Sequence, residues 1–210
     1  MRAMARTKDP AVRSLLLERA AQMLRTREPV TLRTLVAGTG VSTMAVYTYF
    51  GGLDGLWRAL RQEGFARLAA RLAAVDTTAD AVRDLAALGA AYLVNAVENP
   101  DLYRIMFDAG FDLDDPGAAD ETLHSLVRTV ERATADGRFA AGTDPLELAT
   151  QSWAAGHGFA SLVTAGPLPY AALAHGVPLL TALFTAAGDE PGRCRASVAR
   201  GWAELPATAP

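Results

Sequence analysis

Residues Thr31 to Phe50 read TLRTLVAGTGVSTMAVYTYF, and this stretch decides the fold. It reads as two short helices joined by a tight glycine turn. Thr31 stands where its hydroxyl caps the first helix. Leu32, Leu35 and Val36 recur at helical spacing and supply an apolar face. Gly38 and Gly40 bracket the turn, where positive φ is costly for any side chain. Val41 plugs the turn, and Ser42 stands at the cap of the second helix. Ala45, Val46, Tyr49 and Phe50 anchor that helix. Thr43, Met44, Tyr47 and Thr48 are left free near its N-terminal half. Two helices so joined place the second in the major groove of DNA.

The run Gly40-Val41-Ser42, then Ala45-Val46-Tyr47, then Tyr49-Phe50-Gly51 resembles the DNA-binding signature of the tetracycline-repressor (TetR) family. The resemblance extends from about Val12 to about Leu68. It implies DNA contacts from Thr31, Arg33, Ser42, Thr43, Met44, Tyr47, Thr48 and Tyr49, with the two tyrosine hydroxyls on phosphates. Many members carry a lysine three residues after the phenylalanine, and this chain has Leu53 there. Backbone amides at the next helix's N-terminus are the expected substitute. A weaker resemblance lies at Trp153, His157 and Gly158. It is similar to the tryptophan-histidine-glycine motif of one C-terminal subgroup.

The charge distribution agrees with a DNA-binding head. The 210 residues carry a net charge of −3. Residues 1–75 hold 12 Lys/Arg against 5 Asp/Glu, whereas residues 76–210 hold 8 against 18. A basic head on an acidic body is the electrostatic footprint of a DNA-binding domain with a separate second function. The single cysteine, Cys194, permits no internal disulfide, which fits a reducing compartment. The charged opening residues read as no signal peptide. The longest apolar stretches fall short of the roughly 20 residues that span a bilayer. A cytoplasmic protein with no membrane partner is expected.

The remainder reads as helix throughout, so the expected fold class is all-α. Asp9-Pro10 and Asp144-Pro145 are cap-plus-proline starts. The DNA-binding domain is expected over residues 8–70, with the helix-turn-helix at 31–50. A ligand-binding and dimerisation domain is expected over 76–205. A helix from about Pro169 to Ala187 is expected to kink at Pro178. Arg58, Arg61, Arg67 and Arg71 read as a solvated face of the fourth helix. Asp112, Asp114 and Asp115 lack the calcium-loop spacing, so their segment reads as a solvated loop.

On the eighth helix Trp153 and His157 lie one turn apart, and Gly156 and Gly158 remove bulk beside the histidine. One reading is a ligand pocket with a stacking indole and a titratable imidazole. The other is a tryptophan packed on a hydrogen-bonded core histidine. The family resemblance implies a pocket among helices five to eight, lined by Tyr92, Tyr103, Met106, Phe107, Phe111, Trp153 and His157. His124 and His175 make no metal pattern with His157, and no cofactor motif is present.

Three functions follow as expectations. The first is a small-molecule-responsive repressor that binds a palindromic operator as a homodimer through helices eight and nine. The small residues Gly156, Gly158, Ala160, Ala171, Ala172 and Ala174 would permit close packing there. Its effector would be small and apolar or amphipathic. The second is a ligand-independent repressor or activator. The third is an enzyme using the His157 pocket, for which no second catalytic group is identifiable in the sequence.

Overall fold

The computed structural model describes residues 9–108, 113 and 115–206. Among these, ten α-helices and one 3₁₀ helix occur and no strand. They form two compact units. One comprises the chain up to Gly64 with Asp101–Asp115, and the other Phe65–Pro100 with Pro116 onward.

The first unit holds α1 (Pro10–Arg25), α2 (Leu32–Val36), α3 (Thr43–Phe50), the start of α4 (Leu53–Ala73) and most of α6 (Pro100–Met106). Its core joins Leu16, Ala20 and Met23 of α1 to Leu35, Val46, Phe50, Leu56, Leu60 and Leu102. The caps follow the local chemistry. Asp9 accepts from the Ala11 amide ahead of Pro10. Thr31 and Thr34 exchange side-chain and backbone bonds as a capping box. Ser42 occupies the cap of α3, but its side chain makes no capping bond, so the expected hydroxyl cap is absent.

No local signal in the sequence places α6 with the first unit. Gly64 allows it: a Cβ there would lie 2.4 Å from the Met106 side chain. Arg61 Nε then donates to the Met106 carbonyl at 2.8 Å, satisfying an orphan acceptor at the helix end. Arg61 is therefore part of the packing and not of a solvated face. The first compact unit thus runs along α4 to Gly64 and takes in Asp101–Asp115.

The second unit is built around α5 (Ala81–Glu98), of whose 18 residues 12 are buried. Helices α7 (Gly117–Ala135), α8 (Pro145–Thr164) and α10 (Pro191–Trp202) pack on it, and α9 (Gly176–Ala186) packs on α8 and α10. The expected long helix kinked at Pro178 is instead a 3₁₀ helix, Tyr170–His175, followed by α9. Pro178 falls in the first turn of α9, where a missing N–H breaks no helical bond.

A buried ionic cluster organises this unit. The Arg138 guanidinium donates to both Asp189 oxygens at 2.8 and 2.6 Å, to Asp80 at 2.6 Å and to Ser197 at 3.1 Å. Ser197 and Arg200 bond the other Asp80 oxygen, each at 2.6 Å. The start of α5, the chain after α7, the end of α9 and the face of α10 thus share one network. Burial raises the Asp80 carboxyl, but bonds from Ser197, the Arg83 amide, Arg138 and Arg200 outweigh it and hold the group at about 2.

Candidate nucleic-acid interface and effector site

The α2–α3 hairpin turns as the glycines require. Gly38 and Gly40 have φ of 74° and 75°, and Gly51 ends α3 in the left-handed conformation. Val46 and Phe50 are buried, while Ala45, Tyr49 and Val41 pack at the edge of the core. The opposite face of α3 is open. Met44 is 65% exposed and Tyr47 51% exposed, the largest apolar and aromatic surfaces on this helix. Thr48 and Ser42 are also exposed, and Thr43 is half-buried. The Thr48 hydroxyl donates to the Met44 carbonyl at 2.9 Å. Thr31 and Arg33 are exposed on the neighbouring hairpin. All eight candidate DNA-contact residues lie in this unit.

Tyr49 is bound into the head. Its hydroxyl accepts from the Asp9 backbone N–H at 2.8 Å, which leaves its own proton available to an acceptor such as a phosphate. Nothing in the sequence pattern foretold this bond, because the partners lie forty residues apart. At Leu53, where the resemblance implies a lysine, α4 begins directly, with free amides in its first turn. A Cβ on Gly55 would sit 1.6 Å from the Phe50 carbonyl, so the end of α3 and the start of α4 are in backbone contact.

The candidate effector residues divide between the two units. Tyr103, Met106 and Phe107 fall in the first, where the Tyr103 and Phe107 rings lie 5.0 Å apart. Phe111 lies outside the described residues. Tyr92, Trp153 and His157 fall in the second and do come together. The buried Tyr92 hydroxyl meets His157 Nδ1 at 3.0 Å. Ser161 Oγ lies 3.4 Å from Nε2, a partner overlooked although it stands one turn along the same helix face. The Trp153 and His157 rings are 6.0 Å apart, with Trp153 37% exposed. Burial lowers the His157 pKa from its ordinary value, favouring neutral imidazole. Trp153 is therefore a partly exposed ring and not a core tryptophan, whereas His157 is half-buried on a buried tyrosine.

Gly156 and Gly158 admit no close neighbour within the chain. A Cβ at Gly156 would meet the Tyr92 ring at 3.9 Å, an ordinary contact, and one at Gly158 would meet nothing within 4 Å. A cavity nearby, lined by Leu85, Gly89, Ser152, Gly156, Phe159 and Trp202 among others, has a volume of about 20 Å³. That is room for about one water. No group of three or more His, Cys, Asp or Glu able to hold a metal occurs among the described residues. No described helix is long and apolar enough to cross a membrane.

Residues 85–187 match the family model for the tetracyclin repressor-like C-terminal domain. Over that stretch the chain is a tetracycline-repressor-like C-terminal domain. Solved structures of similar fold cover most of the chain. A protein of unknown function from Rhodococcus sp. RHA1 is 26% identical with a TM-score of 0.67, over 92% of this chain and 95% of that one. A bacterial regulatory protein of the TetR family from Rhodococcus RHA1 is 17% identical with a TM-score of 0.66, over 85% and 98%. RolR in complex with resorcinol is 16% identical with a TM-score of 0.63, over 94% and 96%. The last two likenesses are of fold. No curated protein matches the chain in sequence. The helix-turn-helix head and this C-terminal domain together make the protein a DNA-binding transcriptional regulator.

Proposed function

We propose that the protein is a repressor that binds a palindromic operator as a homodimer and releases it on binding a small molecule. The observation that carries the DNA half is the open face of α3, where Met44, Tyr47 and Thr48 project from a helix whose other face is buried by Val46 and Phe50. Thr43, Met44 and Thr48 read base edges in this proposal, because the N-terminal residues of a recognition helix do so. Tyr47 and Tyr49, with Thr31, Arg33 and Ser42, hold the backbone.

The dimer is proposed through α8 and α9. Leu146, Trp153, Leu162 and Leu179 on these helices are 55%, 37%, 45% and 44% exposed, more apolar surface than a monomer gains from showing. Ala160 and Ala172 are buried within the protomer and belong to its own packing, so Gly158 and the exposed leucines carry the reading. Two recognition helices then enter successive major grooves, roughly 34–36 Å apart.

The effector is proposed to be mostly apolar with one or two polar groups, engaging Tyr92, Trp153 and His157. RolR has resorcinol as its ligand, a flat ring with polar edges. Such a ligand acts only as far as it prefers one operator-binding conformation over another. The small enclosed cavity beside Gly156 favours a second reading, regulation without an effector.

The test is operator binding by fluorescence anisotropy with candidate effectors, on wild type and His157→Ala. The proposed outcome is normal operator binding by the variant with a weakened response to effector. An unchanged response puts the effector elsewhere. No response from wild type to any compound that binds it favours the second reading. Light scattering that finds a monomer of about 22 kDa at micromolar concentration removes the dimer.

A further inference from the structure

In the second unit an open cleft of about 260 Å³ lies between the last turn of α4, residues 74–77, the first half of α5 and the second half of α7. It shares no lining residue with the Tyr92–His157 site and does not depend on the effector reading. Its two sides differ in chemistry. Leu72, Val75 and Leu88 line it with apolar surface. Ser125, Arg128 and Arg132 face it from α7 at helical spacing, three and four residues apart.

The two arginines are not equivalent. Arg132 is committed: it donates to the Thr78 carbonyl at 2.7 Å and to the buried Asp84 at 2.9 Å. Arg128 instead pairs with Glu121, and both side chains are more than half exposed, at 57% and 51%. An exposed pair of this kind is worth little, so an incoming anion displaces it at small cost. Arg128 also reaches Ser125 Oγ at 3.2 Å, which steadies the guanidinium on the α7 face that lines the cleft.

An arginine has donors and no acceptor, so the group it receives must be an acceptor, best an anionic oxygen pair that fits its fork. Only one of the two cations is available, and Asp76 and Asp84 in the same lining oppose a second negative charge. The apolar side requires a hydrocarbon part. The volume is just below the roughly 300–1,000 Å³ of drug-sized pockets, so the ligand is small. We propose that this cleft binds a small amphipathic monocarboxylate, its carboxylate on Arg128 and its chain along Leu72, Val75 and Leu88.

Calorimetric titration of the full chain with octanoate, below its micellar concentration, tests this. Butyrate and octanol serve as the shortened and the uncharged probes. Octanoate is expected to bind wild type, butyrate more weakly, and octanol more weakly still. Arg128→Gln is expected to weaken octanoate about tenfold or more, the usual effect of losing a charged hydrogen-bond partner. Arg104→Gln, which removes a 70% exposed arginine outside the cleft, is expected to change nothing. Arg128 is exposed, so its variant retains the fold, which a thermal melt verifies. The proposal is overturned by any of four results. These are no octanoate binding to wild type, equal binding by Arg128→Gln, equal loss in Arg104→Gln, and equal affinity for octanol or butyrate.

Discussion

The Tyr49 hydroxyl accepts a hydrogen bond from the Asp9 backbone N–H at 2.8 Å, tying the recognition helix to the N-terminus of α1. Asp9 is itself the α1 cap, so one residue serves both helices. Tyr49→Phe is expected to lower stability by about 1 kcal/mol, the net worth of such a bond. Tyr47 is half exposed, so Tyr47→Phe should leave the melt unchanged. If both hydroxyls hold phosphates, each variant weakens binding to operator and random DNA alike. Melts and anisotropy on the two DNAs separate these effects, and a loss confined to the operator would refute the phosphate role.

Thr48 spends its proton on the Met44 carbonyl, so its hydroxyl oxygen can only accept from DNA. The expected partners are the exocyclic amino groups of adenine or cytosine, while Met44 suits the thymine methyl. Affinities measured across single-base operator variants should change at one or two positions in Met44→Ala and Thr48→Val. Each mismatched pair is worth roughly 1–3 kcal/mol. A uniform loss on every sequence would make these residues positioning groups.

Gly51 and Gly55 should respond differently to alanine. Gly51 ends α3 at φ 77°, where a side chain costs about 1–2 kcal/mol. At Gly55 an added Cβ would lie 1.6 Å from the Phe50 carbonyl, and backbone must move to admit it. Gly55→Ala is expected to destabilise by at least as much as the ~1–3 kcal/mol of an overpacked core. It should also weaken DNA binding, because the shift falls on the end of the recognition helix. Denaturant melts that rank the two variants in the opposite order would count against this contact.

Arg138 and Asp189 form a pair whose acidic side chain is fully buried. Arg138→Met leaves that carboxylate without its main partner and should cost about 3–5 kcal/mol. Adding Asp189→Leu removes the stranded charge and should recover much of the loss. Asp80, in the same cluster, titrates at about 2 against an ordinary 3.8. Its folded pKa is depressed, so its contribution is complete above about pH 4 and is lost as pH falls toward 2. Acid unfolding of Asp80→Asn should therefore show a weaker pH dependence across that window than wild type.

His157 has a depressed pKa in the folded chain, because burial disfavours its charged form. The unfolded chain takes up this proton first as pH falls, so stability is complete above the ordinary 6.5 and declines below it. Replacing His157 with Phe should flatten the melt between pH 7 and 5. A slope identical to wild type would show that this imidazole does not contribute.

Much of the head could be read locally. The Thr31 cap, the positive-φ glycines and the apolar spacing of Leu35, Val46 and Phe50 all act within twenty residues, where side-chain chemistry and backbone geometry are directly linked. The same local logic placed the starts at Asp9-Pro10 and Asp144-Pro145. It failed where a local signal had two outcomes. Pro178 marks either a kink or a first turn, and the choice was made by the preceding 3₁₀ segment. Ser42 stands at a cap position without a cap bond.

The amino-acid sequence by itself determined the helical class, the helix-turn-helix, the charge asymmetry and the pairing of Trp153 with His157 on one helix face. These depend on periods and neighbours along the chain. Only the tertiary structure decided that α6 packs with the head through Gly64, that Tyr92 holds His157, and that Arg138 joins Asp80, Asp189 and Ser197. A helical period reports which face is buried but carries no record of what buries it. Partners this far apart along the chain are selected by the fit of whole surfaces, and that fit exists only once the helices have packed.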